Sequence, residues 1–541
     1  MAKKARSEIR NLSVVVKRFY LLFIVFISVA AQAVPAYRGG TIRTCADGTE
    51  KTVFLHGDAF FHYMTDSAGT WLDERTLQPL NAAQREARTH HGRQRQQARR
   101  VQQAKQLGGE LNIAPRGLLI MVNFTDLAFV TPHDTVDSML NGVNFTRKYS
   151  YKMNNWNVQI KSSGSARQYF YDQSYGQYEP VFDVVGPYTL KHDLAYYGSD
   201  NDANVGEMIK EACVLANQDG ADFTLYDNDN DGNVDFVYVL YAGYAEAEGA
   251  PEETIWPHNT NLQYYGINCR VDGKTVGNYA CSNELSYITG QYNGIGTFCH
   301  EFSHVLGLPD LYETNTPRQG LHTLYQWDIL DYGCYNNYSN TPCAYSSYER
   351  FYMGWLTPRI LRDPEYITLK PLNQNEGEAL LISTLFSTHN LDGTNPVPST
   401  FYMLECRNKS GWDAYLPGRG LLITKIQYNS YKWMYNNVNN DADDFGVDIL
   451  EAKENNSSSA ASTDAYPAGA KEWTTYAFHE ITDISLQLSD GSVRFSYRGA
   501  EKPEAVESVS ENNTPCTKVM RDGQIVIIRD GKEYTILGNR L

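Results

Sequence analysis

Short runs of alternating apolar and polar residues, punctuated by glycine, occupy 34–80 and again 365–499, and predict β-rich units towards both ends of the chain. Between them the pattern changes. The continuous apolar run 117–124 and the β-branched and aromatic run 236–242 predict buried strands. Residues 165–173, opening after Gly164-Ser165, and the amphipathic stretch 205–217 predict helices, with another expected over 344–356. The centre of the chain therefore reads as α+β. At the start, Lys3, Lys4, Arg6, Lys17 and Arg18 precede the apolar run 19–30, and Ala31-Gln32-Ala33 has the small-x-small form of a signal peptidase site. That run is too short to span a bilayer comfortably, so export with a cut after Ala33 is expected. Residues 503–515 form a polar, proline-flanked linker, and 524–529 and 533–537 meet at Asp530-Gly531 as a hairpin.

Length and charge narrow the picture. A chain of 541 residues exceeds one hydrophobic core and predicts two or three domains. Its net charge of −16 argues against a nucleic-acid partner and suits a soluble exported protein. Residues 84–106 run against that trend with Arg85, Arg88, Arg93, Arg95, Arg99 and Arg100. Such a stretch is an open target for an activating, trypsin-like protease, a solvated helical linker being the alternative. No two of the nine cysteines fall at CxxC spacing, which excludes a cysteine metal cluster. Cys269 with Cys281, and Cys334 with Cys343, bracket turns short enough to be bridged in an oxidising compartment.

The candidate chemistry lies in Phe298-Cys-His-Glu-Phe-Ser-His304 and the residues that follow. Residues four apart stack on one helical face, so His300 and His304 can aim two imidazoles at one metal ion, with Glu301 beside them as proton acceptor for an attacking water. Gly307 and Pro309 end the helix, and Asp310 or Glu313 can return a carboxylate as third ligand. Two imidazoles, one carboxylate and an open position suit catalytic zinc. A second candidate site is Asp227-Asn-Asp-Asn-Asp-Gly-Asn-Val-Asp235. Asp227, Asp229, Asp231 and Asp235, with Gly232 at the turn, resemble the first nine positions of a calcium loop, although Tyr238 replaces its final glutamate. Acidic side chains this dense need a counter-charge.

The run from Phe298 to Tyr312, with its HExxHxxGxxD spacing, resembles the active-site helix of the immune inhibitor A family of secreted zinc metalloproteases, relatives of the metzincins. The likeness extends over about 117–499, through Ile255-Trp-Pro-His258, 279–285, 344–356 and 436–452. It implies a zincin-like, metzincin-related catalytic domain over 111–360, a β-sandwich-like domain over 361–499, and a linker and tail over 500–541. The opening Pro35-Ala-Tyr-Arg-Gly39 is similar to the family's pro-segment, which assigns 34–110 to a latency unit after the signal peptide 1–33. Cys45 is then a candidate thiolate to block the zinc. Where metzincins place a methionine turn beneath the metal this chain has Leu330, and Tyr332 follows as a candidate to steady the oxyanion. The tail resembles the sorting tails of exported Bacteroidetes proteins, implying passage through outer-membrane secretion machinery. The expected function is a secreted zinc endopeptidase acting on protein or peptide substrates, with structural calcium. The alternative is a non-catalytic surface adhesin that keeps the protease fold.

Overall fold

The computed structural model describes residues 32–88, 115–502 and 517–535 apart from short internal stretches, together with Leu541. The signal run before residue 32, the arginines at 93, 95, 99 and 100, and the linker 503–515 lie outside the described residues.

A six-stranded sheet organises the centre, in the order Gln32–Ala33, His258–Asn261, Asn278–Asn283, Val237–Tyr241, Arg116–Asn123, Val181–Thr189. The last four strands are parallel, and the first two add antiparallel at one edge. A central parallel strand is covered on both faces and must be apolar at consecutive positions. Residues 118–122 accordingly are all buried. Leu119 and Met121 join the core that holds Phe298 and Phe302, while Leu118, Ile120 and Val122 join the core of the helix Val205–Gln218. The helix Ala166–Gln173 starts where its sequence implied, with the Ser165 side chain accepting from the Gln168 amide. The helix expected over 344–356 is shorter, Ser347–Tyr352. Ser346 and Glu349 form a capping box that fixes its start, and Gly354, at a φ of 73°, turns the chain away after its end.

Beyond this unit, a five-stranded sheet that includes Thr400–Arg407 and Gly420–Gln427 faces a three-stranded sheet of Glu365–Leu369, Val493–Tyr497 and Ile481–Leu486. They share one core containing Leu369, Ile382, Leu404, Ile423 and Phe495. Buried Arg407 ties this region to the central one: it pairs with Asp413 and Glu405 and donates to the carbonyls of Trp327 and Ala344. At the other end, strands Thr41–Thr44, Glu50–Asp58, Phe61–Asp66 and Trp71–Leu72 form an antiparallel sheet. Arg43 from this sheet donates to the carbonyls of Gly249 and Ala250, and His62 lies between Glu74 and Glu246. The tail holds one strand more than the expected hairpin, with Thr517–Arg521 pairing beside Gln524–Arg529 and Lys532–Thr535. Among the described residues, no helix is long and apolar enough to cross a membrane.

Candidate metal centre

The helix Gly296–Val305 is seated by its aromatic face and by glycines at its entry. Phe298 and Phe302 stack their edges on Phe182, with centroids 5.0 and 5.1 Å away, and Phe302 meets Phe170 and Phe236 as well. A Cβ at Gly296 would lie 1.9 Å from the Cys334 carbonyl oxygen, so only glycine lets the helix start this close to the following loop. The opposite face presents His300 and His304, ring centroids 4.6 Å apart. Gly307, at a φ of 94°, ends the helix in the left-handed conformation, and the chain returns Asp310 to the two imidazoles.

The histidines are oriented from behind. His300 Nδ1 lies 2.7 Å from the Ile329 carbonyl oxygen and His304 Nδ1 2.8 Å from that of Leu308. A carbonyl only accepts, so the ring proton resides on Nδ1 and each Nε2 is left as a ligand atom. The two Nε2 atoms are 3.1 Å apart, and Asp310 Oδ1 is 3.3 and 3.2 Å from them. Ligands 2.0–2.1 Å from a tetrahedral zinc stand about 3.3 Å from one another, which matches this triangle. Asp310 Oδ1 has no hydrogen bond although the residue is buried. Burial opposes ionisation of this carboxyl, and only positive charge at the position of the imidazoles, or of a cation they would hold, keeps its pKa low. Three buried ligand atoms converging without a cation of their own fit a divalent metal. Glu313, the rival ligand, is not among them.

Glu301 is fully buried. Its Oε1 accepts the Val34 amide at 3.0 Å, and its Oε2 has no hydrogen-bond partner. Burial, and then the charge of Asp310, push its pKa well above the usual carboxylate value. Val34 is itself buried, its carbonyl accepting from Trp256 Nε1 at 2.9 Å, while the Pro35 carbonyl accepts from the Tyr335 hydroxyl at 2.7 Å. The N-terminal unit thus meets the centre through the backbone of 34–35, whereas the Cys45 thiol is not one of the ligand atoms gathered there.

The turn after the helix is held in place with leucine at the position where the resemblance implies methionine. Leu330 is fully buried, its amide donates to Asp328 and its carbonyl accepts from Leu311, which keeps the neighbouring Ile329 carbonyl on His300. Tyr332 stacks on Tyr325. His258 is a packed side chain between the Trp256 carbonyl and the Tyr279 hydroxyl, and Glu284 accepts the amides of Val130 and Thr131. The acidic loop gathers Asp227, Asp229 and Asp231, but Asp235 turns away to accept from the backbone and side chain of Asn228. One counter-charge is a side chain. Lys274 Nζ lies 2.5 Å from Asp227 Oδ2 and offsets one of the three gathered carboxylates. All eight described cysteines are free thiols, which corrects the two suggested bridges: Cys281 packs on His258, and Cys269 shares a core with Cys213.

Sequence reasoning missed Asn436. Its side chain donates to Asp310 Oδ2 at 2.6 Å and accepts the Asp310 amide at 2.7 Å, from 126 residues away. Only the run of asparagines around it pointed to a structured loop.

The site thus combines a histidine pair on a helix, a carboxylate returned by the next turn and a buried glutamate on the same helix, beside a mixed and mostly parallel sheet. Residues 114–356 match the model of the immune inhibitor A peptidase M6 catalytic domain. The pre-pro-metalloprotease PrtV of Vibrio cholerae is 28% identical over 270 residues, 44% of this chain and 28% of that protein. Immune inhibitor A of Bacillus thuringiensis is 26% identical over 215 residues, 33% of this chain and 30% of that protein. Over this domain the chain is similar to the immune inhibitor A-like metalloproteases. The match spans less than a third of the length of either relative.

Proposed function

We propose that the protein is an exported zinc endopeptidase made as a latent precursor. The observation that carries the reading is the triangle of His300 Nε2, His304 Nε2 and Asp310 Oδ1, at 3.1–3.3 Å, with the buried Glu301 carboxylate on the same helix. These three residues would hold the metal. Zinc bound there supplies Lewis acidity to the scissile carbonyl and to water. Glu301 takes the proton from the attacking water and delivers it to the departing amine, its Oε2 having no other hydrogen-bond partner. The Ile329 and Leu308 carbonyls keep both imidazoles in the ligand tautomer.

Latency is supported by the chain around Val34, whose amide occupies Glu301 Oε1. A cut after Ala33 would convert that amide into an α-amino group at the same place, and removal of the N-terminal unit through the arginine-rich stretch would clear it. The non-catalytic reading rested on Leu330; with the turn in place, no observation favours it.

The test is cleavage of an unfolded protein by the full chain after limited trypsin treatment, with and without a zinc chelator, beside Glu301→Ala. Chelator-sensitive cleavage that falls about 10²–10⁴-fold in the variant is expected. A folded, zinc-loaded and trypsin-treated chain that cleaves nothing would overturn the reading.

A further inference from the structure

We infer that Asn436, in the β-rich C-terminal region, is a positioning residue for the metal, so that the centre is completed only when that region is docked. The inference rests on the reading of His300, His304 and Asp310 as the metal ligands. Asp310 has two carboxylate oxygens, and only Oδ1 faces the histidines. The other, Oδ2, accepts from Asn436 Nδ2 at 2.6 Å, and the same amide's oxygen accepts the Asp310 N–H at 2.7 Å. One carboxamide thus fixes the carboxylate and its backbone together, which sets the rotation that leaves Oδ1 for the metal. Asn436 and Asp310 are both buried, so water does not replace these bonds at low cost.

The identity of residue 436 follows from two requirements at once. It follows the short helix Ser430–Met434 at a φ of 51°, a left-handed conformation that asparagine tolerates better than most side chains. It also needs one donor and one acceptor on the same short side chain, which asparagine alone supplies at this length. Its neighbours hold the same segment of chain by other means. Asn439 Nδ2 donates to the Leu311 and Val447 carbonyls, and Asn440 Oδ1 accepts the Thr314 amide. These bonds dock the loop without touching the Asp310 carboxylate, so docking and ligand orientation can be separated by mutation. The matched family domain ends at residue 356, well before Asn436. Residues 114–356 therefore contain every direct ligand and lack the group that orients one of them.

The experiment measures zinc affinity of the full chain by chelator competition, with circular dichroism and thermal unfolding as checks on folding. Asn436→Gly removes the amide while keeping the left-handed backbone accessible, and Asn436→Asp keeps shape and acceptor but opposes the Asp310 carboxylate with a second one. Loss of a hydrogen bond behind a metal ligand typically weakens binding by about 10–100-fold. That loss is expected for Asn436→Gly, and a larger one for Asn436→Asp, while Asn439→Ala holds zinc within about twofold of wild type. Two results would overturn the inference: wild-type affinity in both Asn436 variants, or an equal loss in Asn439→Ala, which would make docking the cause. A wild-type chain that binds no zinc, or an Asp310→Ala variant with undiminished affinity, would instead remove the metal reading on which this one stands.

Discussion

Two buried clusters in this protein are built from the same residue types and differ in where their positive charge comes from. At His300, His304 and Asp310 the imidazole Nδ1 protons are committed to backbone carbonyls, and three ligand atoms face one another with no cationic side chain among them. At His62, Glu74 and Glu246 the protein supplies its own cations. His62 Nε2 is 2.9 Å from Glu246 and 3.4 Å from Glu74, and Arg88 pairs with Glu74 from the other side. Burial alone would lower the His62 pKa, but the Glu246 and Glu74 carboxylates raise it to about 10, so this imidazole is charged at neutral pH. Counting ligand-type residues would score both clusters alike. What separates them is whether the lone pairs are already satisfied by protons and cations of the chain.

The contrast breaks first at the metal. His300→Ala is expected to reduce bound zinc to background and to cost about 10³-fold or more in cleavage, the several kcal/mol a Lewis acid supplies. His62→Ala should keep its zinc in full. Metal analysis of the two purified variants decides this, and zinc loss in His62→Ala would show that the second cluster also depends on an ion.

The second break concerns docking. Glu74 belongs with the N-terminal unit and Glu246 with the central one, so His62 joins two parts of the chain through a buried, charged contact. Removing one partner of such a group costs about 3–5 kcal/mol. After trypsin has cut the arginine-rich stretch, His62→Ala should release its N-terminal fragment on gel filtration, and gain activity, sooner than wild type, which releases it more slowly. The sign of the pH dependence follows from the raised pKa. A histidine held above its unfolded value of 6.5 contributes fully below that pH, and the contribution fades as pH rises through about 10. Retention of the fragment in wild type should therefore fail on the alkaline side, and the His62→Ala profile should lack that step.

The site was legible in the sequence as far as it was local. His300, Glu301 and His304 share one helix, and Gly307 and Asp310 follow within a turn, so spacing alone placed them. The strands 117–124 and 236–242 were legible because a strand covered on both faces leaves a continuous apolar run. Asn436, the Ile329 carbonyl and Val34 were not legible. They reach the centre from 126, 29 and 267 residues away along the chain, and a single side chain or a backbone group carries no periodic signal. The expected bridges Cys269–Cys281 and Cys334–Cys343 failed for the same reason. Closeness in sequence suggested a loop closure, whereas Cys269 belongs to a strand and shares a core with Cys213 on the helix Val205–Gln218.

The acidic loop sharpens the comparison by a smaller effect. Dense carboxylates at 227, 229 and 231 suggested calcium because nothing nearby in the sequence balanced them; one balancing charge, Lys274, enters from the adjoining strand Lys274–Val276. The loop therefore carries one cation of its own against three carboxylates. Replacing that cation should move it towards the other kind. In Lys274→Met the three carboxylates lose this partner, and a divalent ion that binds the folded loop then stabilises it by mass action. Wild type is expected to unfold at the same temperature with and without millimolar calcium. The variant should unfold earlier and recover about 2–4 °C on addition of calcium, the effect of roughly 1 kcal/mol on a domain of this size. A calcium-dependent rise already present in wild type would show that Lys274 yields to the ion, and the loop would then belong with the metal centre.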